Sequence, residues 1–189
     1  MKIAFIVFDR MTSLDFIGFY DPVTRLKSMK IVEDMEWRIC SPREHVVDDR
    51  GLKIAADAVA EPLDAYDMLF VPGGFGTRSL QHDHDFVEWL KTAASARLKV
   101  SVCTGALLLG AAGYLQGRRA TTHPSAYQEL EAYCDTVVQD RVVDEGDVIT
   151  ARGVSSAIDA GLHVVQKIAG ADARTRIAAQ MDYPYRWNP

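Results

Sequence analysis

Cys103 stands in the run Ser101-Val102-Cys103-Thr104-Gly105, where a β-branched apolar stretch gives way to small residues. A nucleophile that closes a buried strand and opens a helix projects from the sheet on a sharp turn. Its neighbours two residues away on either side must be small, so that strand and helix can approach. Ser101 and Gly105 meet that requirement. A place at a helix N-terminus is expected to favour thiolate over thiol, through the dipole and the unpaired N–H groups. Pro72-Gly73-Gly74-Phe75-Gly76 ends the preceding apolar run and is expected at the same edge of the sheet. Glycines there permit positive φ and leave N–H groups exposed. The N–H groups of Gly74 and Thr104 are therefore expected to form an oxyanion hole, with Gly73 in support. No Gly-Lys-Ser/Thr follows, and the glycine spacing is too short for a dinucleotide fingerprint.

A thiol enzyme also needs a proton carrier. Asp15 follows Leu14 at the start of the first predicted helix, near the C-terminal end of the first strand. An acid in a first helical turn also serves simply to offset the dipole. His123, in Ala120-Thr121-Thr122-His123-Pro124, precedes a proline-initiated helix; it is either a partner of Cys103 or a turn histidine bonded to backbone. His45, His82, His84 and His163 fall in polar turns or mid-helix and are assigned no role. Cys40, Cys103 and Cys134 are too few and too widely spaced for a disulfide framework or a clustered zinc site. No metal and no cofactor are expected.

These residues need a scaffold that brings strand ends together. Short apolar runs bounded by turn residues alternate with longer helical patterns. Strands are predicted at 3–8, 37–40, 68–71 and 98–102, and shorter ones at 137–138, 142–143 and 148–149. Helices are predicted at 14–29 (with Ser13 as N-cap), 85–96, 104–112, 125–133, 156–169 and 172–181. Residues 46–59 read as a polar hairpin turning at Asp49-Arg50-Gly51. The alternation, with runs buried on both faces, predicts one α/β domain over 1–189. It would be a flavodoxin-like three-layer sandwich, with a mostly parallel central sheet and helices on both faces. Ligands in such folds sit beyond the C-terminal ends of the strands, where Val71-Pro72-Gly73-Gly74 and Val102-Cys103-Thr104-Gly105 both finish.

Composition narrows the partners. A net charge of -5, with basic residues scattered, offers no counter-surface for phosphates, so no nucleic acid partner is expected. The apolar N-terminus is interrupted at Asp9, too soon for a signal-peptide core, and no run is long enough for a membrane span. A cytoplasmic location and a small-molecule substrate are the expectation. No helix-turn-helix and no basic stretch is read in the sequence, so DNA binding is not expected.

Taken in order, Phe70-Val71-Pro72-Gly73-Gly74, Val102-Cys103-Thr104-Gly105 and Ala120-Thr121-Thr122-His123 resemble the ThiJ/PfpI superfamily, whose members share a glutamine-amidotransferase-like fold. The resemblance runs from Ile3 to about Tyr183. Within the superfamily it is nearest to the isonitrile hydratases, through the run Val100 to Gly113, Gly117 to His123, and Ile158-Asp159. Those hydratases carry Leu-Asp at the start of the first helix, as in Leu14-Asp15. Many protease-like and chaperone-like relatives carry Glu in that region, and His or Ala where this chain has Thr104. The resemblance implies a nucleophile at Cys103, an acid/base carboxyl at Asp15, a side-chain contact from Thr104, backbone donors at Gly74 and Thr104, and a homodimer.

The chain departs from the hydratase pattern at Phe16-Ile17-Gly18-Phe19-Tyr20, where a small or polar residue and then Gly-Pro are common. It departs again at Pro124, where Trp is usual. Both departures are expected on the pocket wall, where they bear on substrate more than on chemistry. Other readings of Cys103 are a glyoxalase- or deglycase-like activity on 2-oxoaldehydes, hydrolysis of a small amide or peptide, and a non-enzymatic redox sensor. The Pro184-Tyr185-Arg186-Trp187 tail reads as a strap across the fold or a dimer.

Overall fold

A computed structural model describes residues 1–184. The chain begins with β1 (Lys2–Ile6), α1 (Ser13–Ser28), β2 (Glu36–Ser41), β3 (His45–Val47), β4 (Lys53–Ala55), β5 (Ala58–Val59) and β6 (Met68–Val71). It continues through α2 (Thr77–Leu80), α3 (His84–Lys91), β7 (Leu98–Val102), α4 (Gly105–Ala111), β8 (Arg119–Ala120), α5 (Tyr127–Leu130) and β9 (Thr136–Val137). It ends on β10 (Val142–Asp144), β11 (Val148–Ala151) and α6 (Ser156–Gln180).

The runs that are apolar throughout become the strands covered on both faces: β6 and β7 are buried at every position, and β1 at all but Lys2. The seven-stranded sheet has the order β10-β11-β7-β6-β1-β2-β5. Every pairing in it is parallel except that of β10 with β11. α1 and α6 pack together on one side, while α4 packs with α2, α3 and α5 on the other. This is the expected flavodoxin-like sandwich. The order of strand addition reverses at β1 and β6, and the loops after the parallel strands β1, β6 and β7 open at one edge, where such sheets bind ligands.

The layer under the site is rigid because α1 and α6 nearly touch. A Cβ at Gly18 would lie 2.8 Å from Ala157 Cβ, and one at Gly161 would lie 2.4 Å from Pro22 Cγ. Phe19 stacks on Phe70 at 4.0 Å between centroids and meets Phe5 edge-on, tying α1 to β1 and β6.

Several boundaries differ from expectation for local reasons. The N-cap of α1 is Thr12, without a side-chain cap; Ser13 instead opens the helix, and its Oγ donates to Asp48 at 2.6 Å. The hairpin is β3 and β4 alone, its turn held by Asp48 accepting the N–H groups of Arg50 and Leu52. The last residues of the same stretch form β5 and join the main sheet beside β2. α3 starts one residue early because Asp83 caps it by accepting the Phe86 N–H at 3.1 Å, and after Lys91 it tightens into a 3-10 turn. The predicted helix at 125–133 is a 3-10 turn followed by the single turn of α5. β9 pairs with β8 in a separate two-stranded sheet. α6 breaks at Gly170, with φ 87 and ψ 173, as expected between two closing helices. The expected strap beyond Pro184 lies outside the described residues. Among the described residues no helix is long and apolar enough to cross a membrane.

Candidate active site

β7 delivers Cys103 to the open edge, and the chain turns there at once. Cys103 has φ 56, the left-handed conformation that a side chain adopts only when its surroundings enforce it. Those surroundings are two hydrogen bonds: its N–H donates to Ala151 O at 2.9 Å, and its carbonyl accepts the Thr122 hydroxyl at 2.8 Å. The small residue two positions later is needed as predicted. A Cβ on Gly105 would lie 2.3 Å from Val71 O and 2.7 Å from Pro72 O.

Asp15 is fully buried in the first turn of α1. Its Oδ2 accepts the Gly73 N–H at 3.0 Å, and its carboxyl lies near enough to the Cys103 thiol for each to shift the other. Oδ1 is buried and has no hydrogen-bond partner among the described residues. Gly73 is the hub. A Cβ there would fall 2.5 Å from Thr104 N, 2.7 Å from Cys103 Cβ and 2.9 Å from Asp15 Oδ2, so the three candidate residues surround one point.

Burial governs the protons. Asp15 is raised from 3.8 to about 7, first by loss of solvent, against the lowering effects of the Gly73 N–H and the thiol. Cys103 is pushed up to about 12, first by burial and then by the Asp15 charge; the Thr104 N–H and hydroxyl oppose this. The helix N-terminus was expected to favour thiolate, and here desolvation outweighs it. Above about 7 the pair keeps a single proton, because ionising both would set two buried negative charges side by side.

Thr104 is buried in a small hydroxyl cluster. Its Oγ1 accepts the Gly74 N–H at 3.0 Å and lies 3.1 Å from Gly74 O and 2.9 Å from the Thr77 hydroxyl. The Gly74 N–H, expected as an open oxyanion donor, is therefore engaged by a side chain that no water reaches. The Thr104 N–H points to the sulfur instead.

His123 lies beside the thiol without commanding it. A Cβ on Gly153 would touch both, at 2.9 Å from His123 Cδ2 and 3.2 Å from Cys103 Sγ. Nδ1 of His123 accepts the Ser125 N–H at 3.2 Å and sits 2.8 Å from Ser125 Oγ. That bond to its own turn places the proton of a neutral ring on Nε2.

The cleft over Cys103 has a volume of about 460 Å³ and is walled by Leu14, Arg50, Phe75, Arg78, His123 and Val154. Phe16 and Pro124 are not on this wall. Phe16 is buried against Phe5 and Tyr20, so the α1 departure from the hydratase pattern reaches the core and not the substrate. A larger cavity of about 600 Å³ lies past Gly76, among Phe8, Arg43, Phe86 and Trp89, but no thiol or histidine lines it. Chemistry, not size, selects the smaller one. No group of three His, Cys, Asp or Glu among the described residues is placed to hold a metal ion.

Sequence reasoning missed Thr77, Thr122 and Gly153 as parts of this site. Gly153 carried a signal, since it follows the end of β11 just as Gly73 follows β6. Thr122 stood in a quoted motif without a role, and Thr77 carried no signal of burial.

Residues 1–167 match the DJ-1/PfpI family. The chain belongs to that family. One relative is the isonitrile hydratase of Pseudomonas putida, 34% identical over 184 residues, which span 97% of this chain and 78% of that protein. Protein DJ-1 homolog A of Arabidopsis thaliana is 28% identical over 134 residues, 68% of this chain but only 34% of its own length. Among solved structures, a THiJ/PfpI family protein from Pseudomonas syringae superposes with a TM-score of 0.88 at 28% identity, covering 100% of this chain and 77% of that one. An oxidized Toxoplasma gondii DJ-1 gives 0.82 at 25%, covering 97% and 99%. The DJ-1/PfpI sandwich is thus the frame in which Cys103 and Asp15 meet.

Proposed function

We propose that this protein is a cysteine-dependent hydratase that converts small isonitriles to N-substituted formamides. The observation that carries the reading is the placing of the buried Asp15 carboxyl and the Cys103 side chain around Gly73, beneath a small cleft. The similarity to the Pseudomonas putida isonitrile hydratase supports it.

The terminal carbon of an isonitrile accepts a nucleophile and then a proton at the same atom, which is what this pair supplies. With the shared proton on Asp15, the Cys103 thiolate attacks that carbon, and Asp15 delivers the proton to it, forming a C–S and a C–H bond. The product is a thioimidate, and Asp15 is now carboxylate. It removes a proton from water as the oxygen adds to the carbon, and passes that proton to the substrate nitrogen. Collapse of the adduct breaks the C–S bond, returns the second water proton to Asp15 and releases the formamide. Thr104 N–H steadies the sulfur through attack and departure.

Because the reactive pair carries a single proton, kcat/KM should rise with pH through about 7, as the doubly protonated pair loses its first proton. A small alkyl isonitrile and methylglyoxal, offered in parallel to one preparation, test the substrate class. Formamide without lactate is expected; lactate alone would favour the glyoxalase-like alternative. The redox-sensor alternative fits the DJ-1 relatives, but burial that raises the thiol slows the thiolate chemistry on which peroxide sensing depends.

The reading extends to setting. Cys40, Cys103 and Cys134 are all free thiols, which suits the cytoplasm. The acidic net charge suits a small-molecule substrate without a nucleic acid partner. We assign a homodimer to the face carrying Leu14 and Ile17, which are 55% and 48% exposed one turn apart on α1. Light scattering should give twice 21.0 kDa, and Ile17→Lys should lower it toward the monomer.

A further inference from the structure

Thr104, which follows Cys103, and Thr77, which touches Thr104, are both buried, and their hydroxyl protons have few places to go. Thr77 Oγ1 lies 2.8 Å from Gly74 O and 2.9 Å from Thr104 Oγ1. Thr104 Oγ1 lies 3.1 Å from Gly74 O, accepts the Gly74 N–H at 3.0 Å, and lies near enough to the Cys103 sulfur to lower the thiol. Gly74 O already accepts the Thr77 N–H at 3.2 Å, so of the competing acceptors it least needs a hydroxyl.

We propose that Thr77 is a positioning residue whose hydroxyl donates to Thr104 Oγ1 and so turns the Thr104 proton onto the sulfur of Cys103. With the sulfur as thiolate, every group in the chain is satisfied. Gly74 N–H and Thr77 O–H fill the two lone pairs of Thr104 Oγ1, and the Thr104 proton faces the charge. Each bond polarises the next, and no water competes. Without the Thr77 hydroxyl, one lone pair of Thr104 Oγ1 is unfilled, nothing fixes the rotation of that hydroxyl, and its proton turns to Gly74 O at 3.1 Å. The sulfur then keeps only the Thr104 N–H.

This inference concerns the thiolate in the site described above, and its test needs no isonitrile. The rate of iodoacetamide labelling of the Cys103 peptide is followed by mass spectrometry between about pH 6 and about pH 9. Thr77→Val preserves shape and removes the hydroxyl. It should slow labelling about 3- to 10-fold at each pH, the loss of one hydrogen bond to a charged sulfur. Thr77→Ser restores the hydroxyl and should label within about twofold of wild type. Labelling of Thr77→Val at the wild-type rate overturns the proposal, as does equal slowing of Val and Ser, which would indicate packing. If the valine variant does not fold, Thr77→Ala is compared with Ser by the same criterion. A protein that fails to hydrate isonitriles but shows this labelling pattern would refute the proposed function alone.

Discussion

Asp15→Asn should make the protein more stable at pH 8 while removing its turnover. Asp15 is raised from 3.8 to about 7, chiefly because burial penalises its charge. The folded state therefore binds more protons than the unfolded chain between those values. Stability from this group is present while it is protonated, falls as pH rises from about 4 through about 7, and carries the full cost above that. At 1.36 kcal/mol per pH unit, the cost is ~4 kcal/mol at most. Asparagine keeps an oxygen for the Gly73 N–H and is neutral at every pH, so it escapes this cost. Urea unfolding should show the variant and wild type nearly equal at pH 4, separating up to about pH 7 and level from there to pH 8. A difference independent of pH would contradict the assignment of the buried charge. Turnover should fall by about 10²- to 10⁴-fold, the usual effect of losing a positioned acid and base.

Gly73→Ala should damage both the fold and the site. Its Cβ would lie 2.5 Å from Thr104 N, which cannot retreat without moving the strained turn at Cys103, and 2.9 Å from Asp15 Oδ2. We expect a loss of ~2–4 kcal/mol of stability, with turnover reduced at least about 100-fold in whatever fraction stays folded. Gly113→Ala separates crowding from backbone conformation. It has φ +86 and nothing within 4 Å of a Cβ, so it should cost ~1 kcal/mol and leave turnover near wild type. Equal turnover losses in both variants would show that turnover follows overall stability and not crowding at Gly73.

The strands and the turn at Cys103 were legible in the sequence because each follows from local pattern. β1, β6 and β7 are runs with no polar interruption beyond Lys2, Lys99 and Ser101, and Gly105 must be small on steric grounds. Lys99 is the exception that shows how tertiary contacts decide: it is buried because its ammonium meets Ala94 O and Ala96 O. The approach of Asp15 to Cys103 was legible only in outline, as two residues expected at one sheet edge. The state of the thiol was not. Sequence shows a helix N-terminus, which lowers a thiol, but not the depth of burial, which raises it more. Nor could it show that Thr104 occupies the Gly74 N–H, or that Phe16 turns inward, since both depend on partners far along the chain. β5 leaves the hairpin for the main sheet for the same reason.

The central claim is that Cys103 and Asp15 together hydrate an isonitrile carbon. Proton NMR of a small alkyl isonitrile incubated in D2O reads it directly, since the proton that Asp15 delivers exchanges with solvent. Wild type should yield the N-alkylformamide with deuterium at the formyl carbon, and both Cys103→Ala and Asp15→Asn should yield none above the uncatalysed rate. Formamide production that persists in both variants would contradict the account.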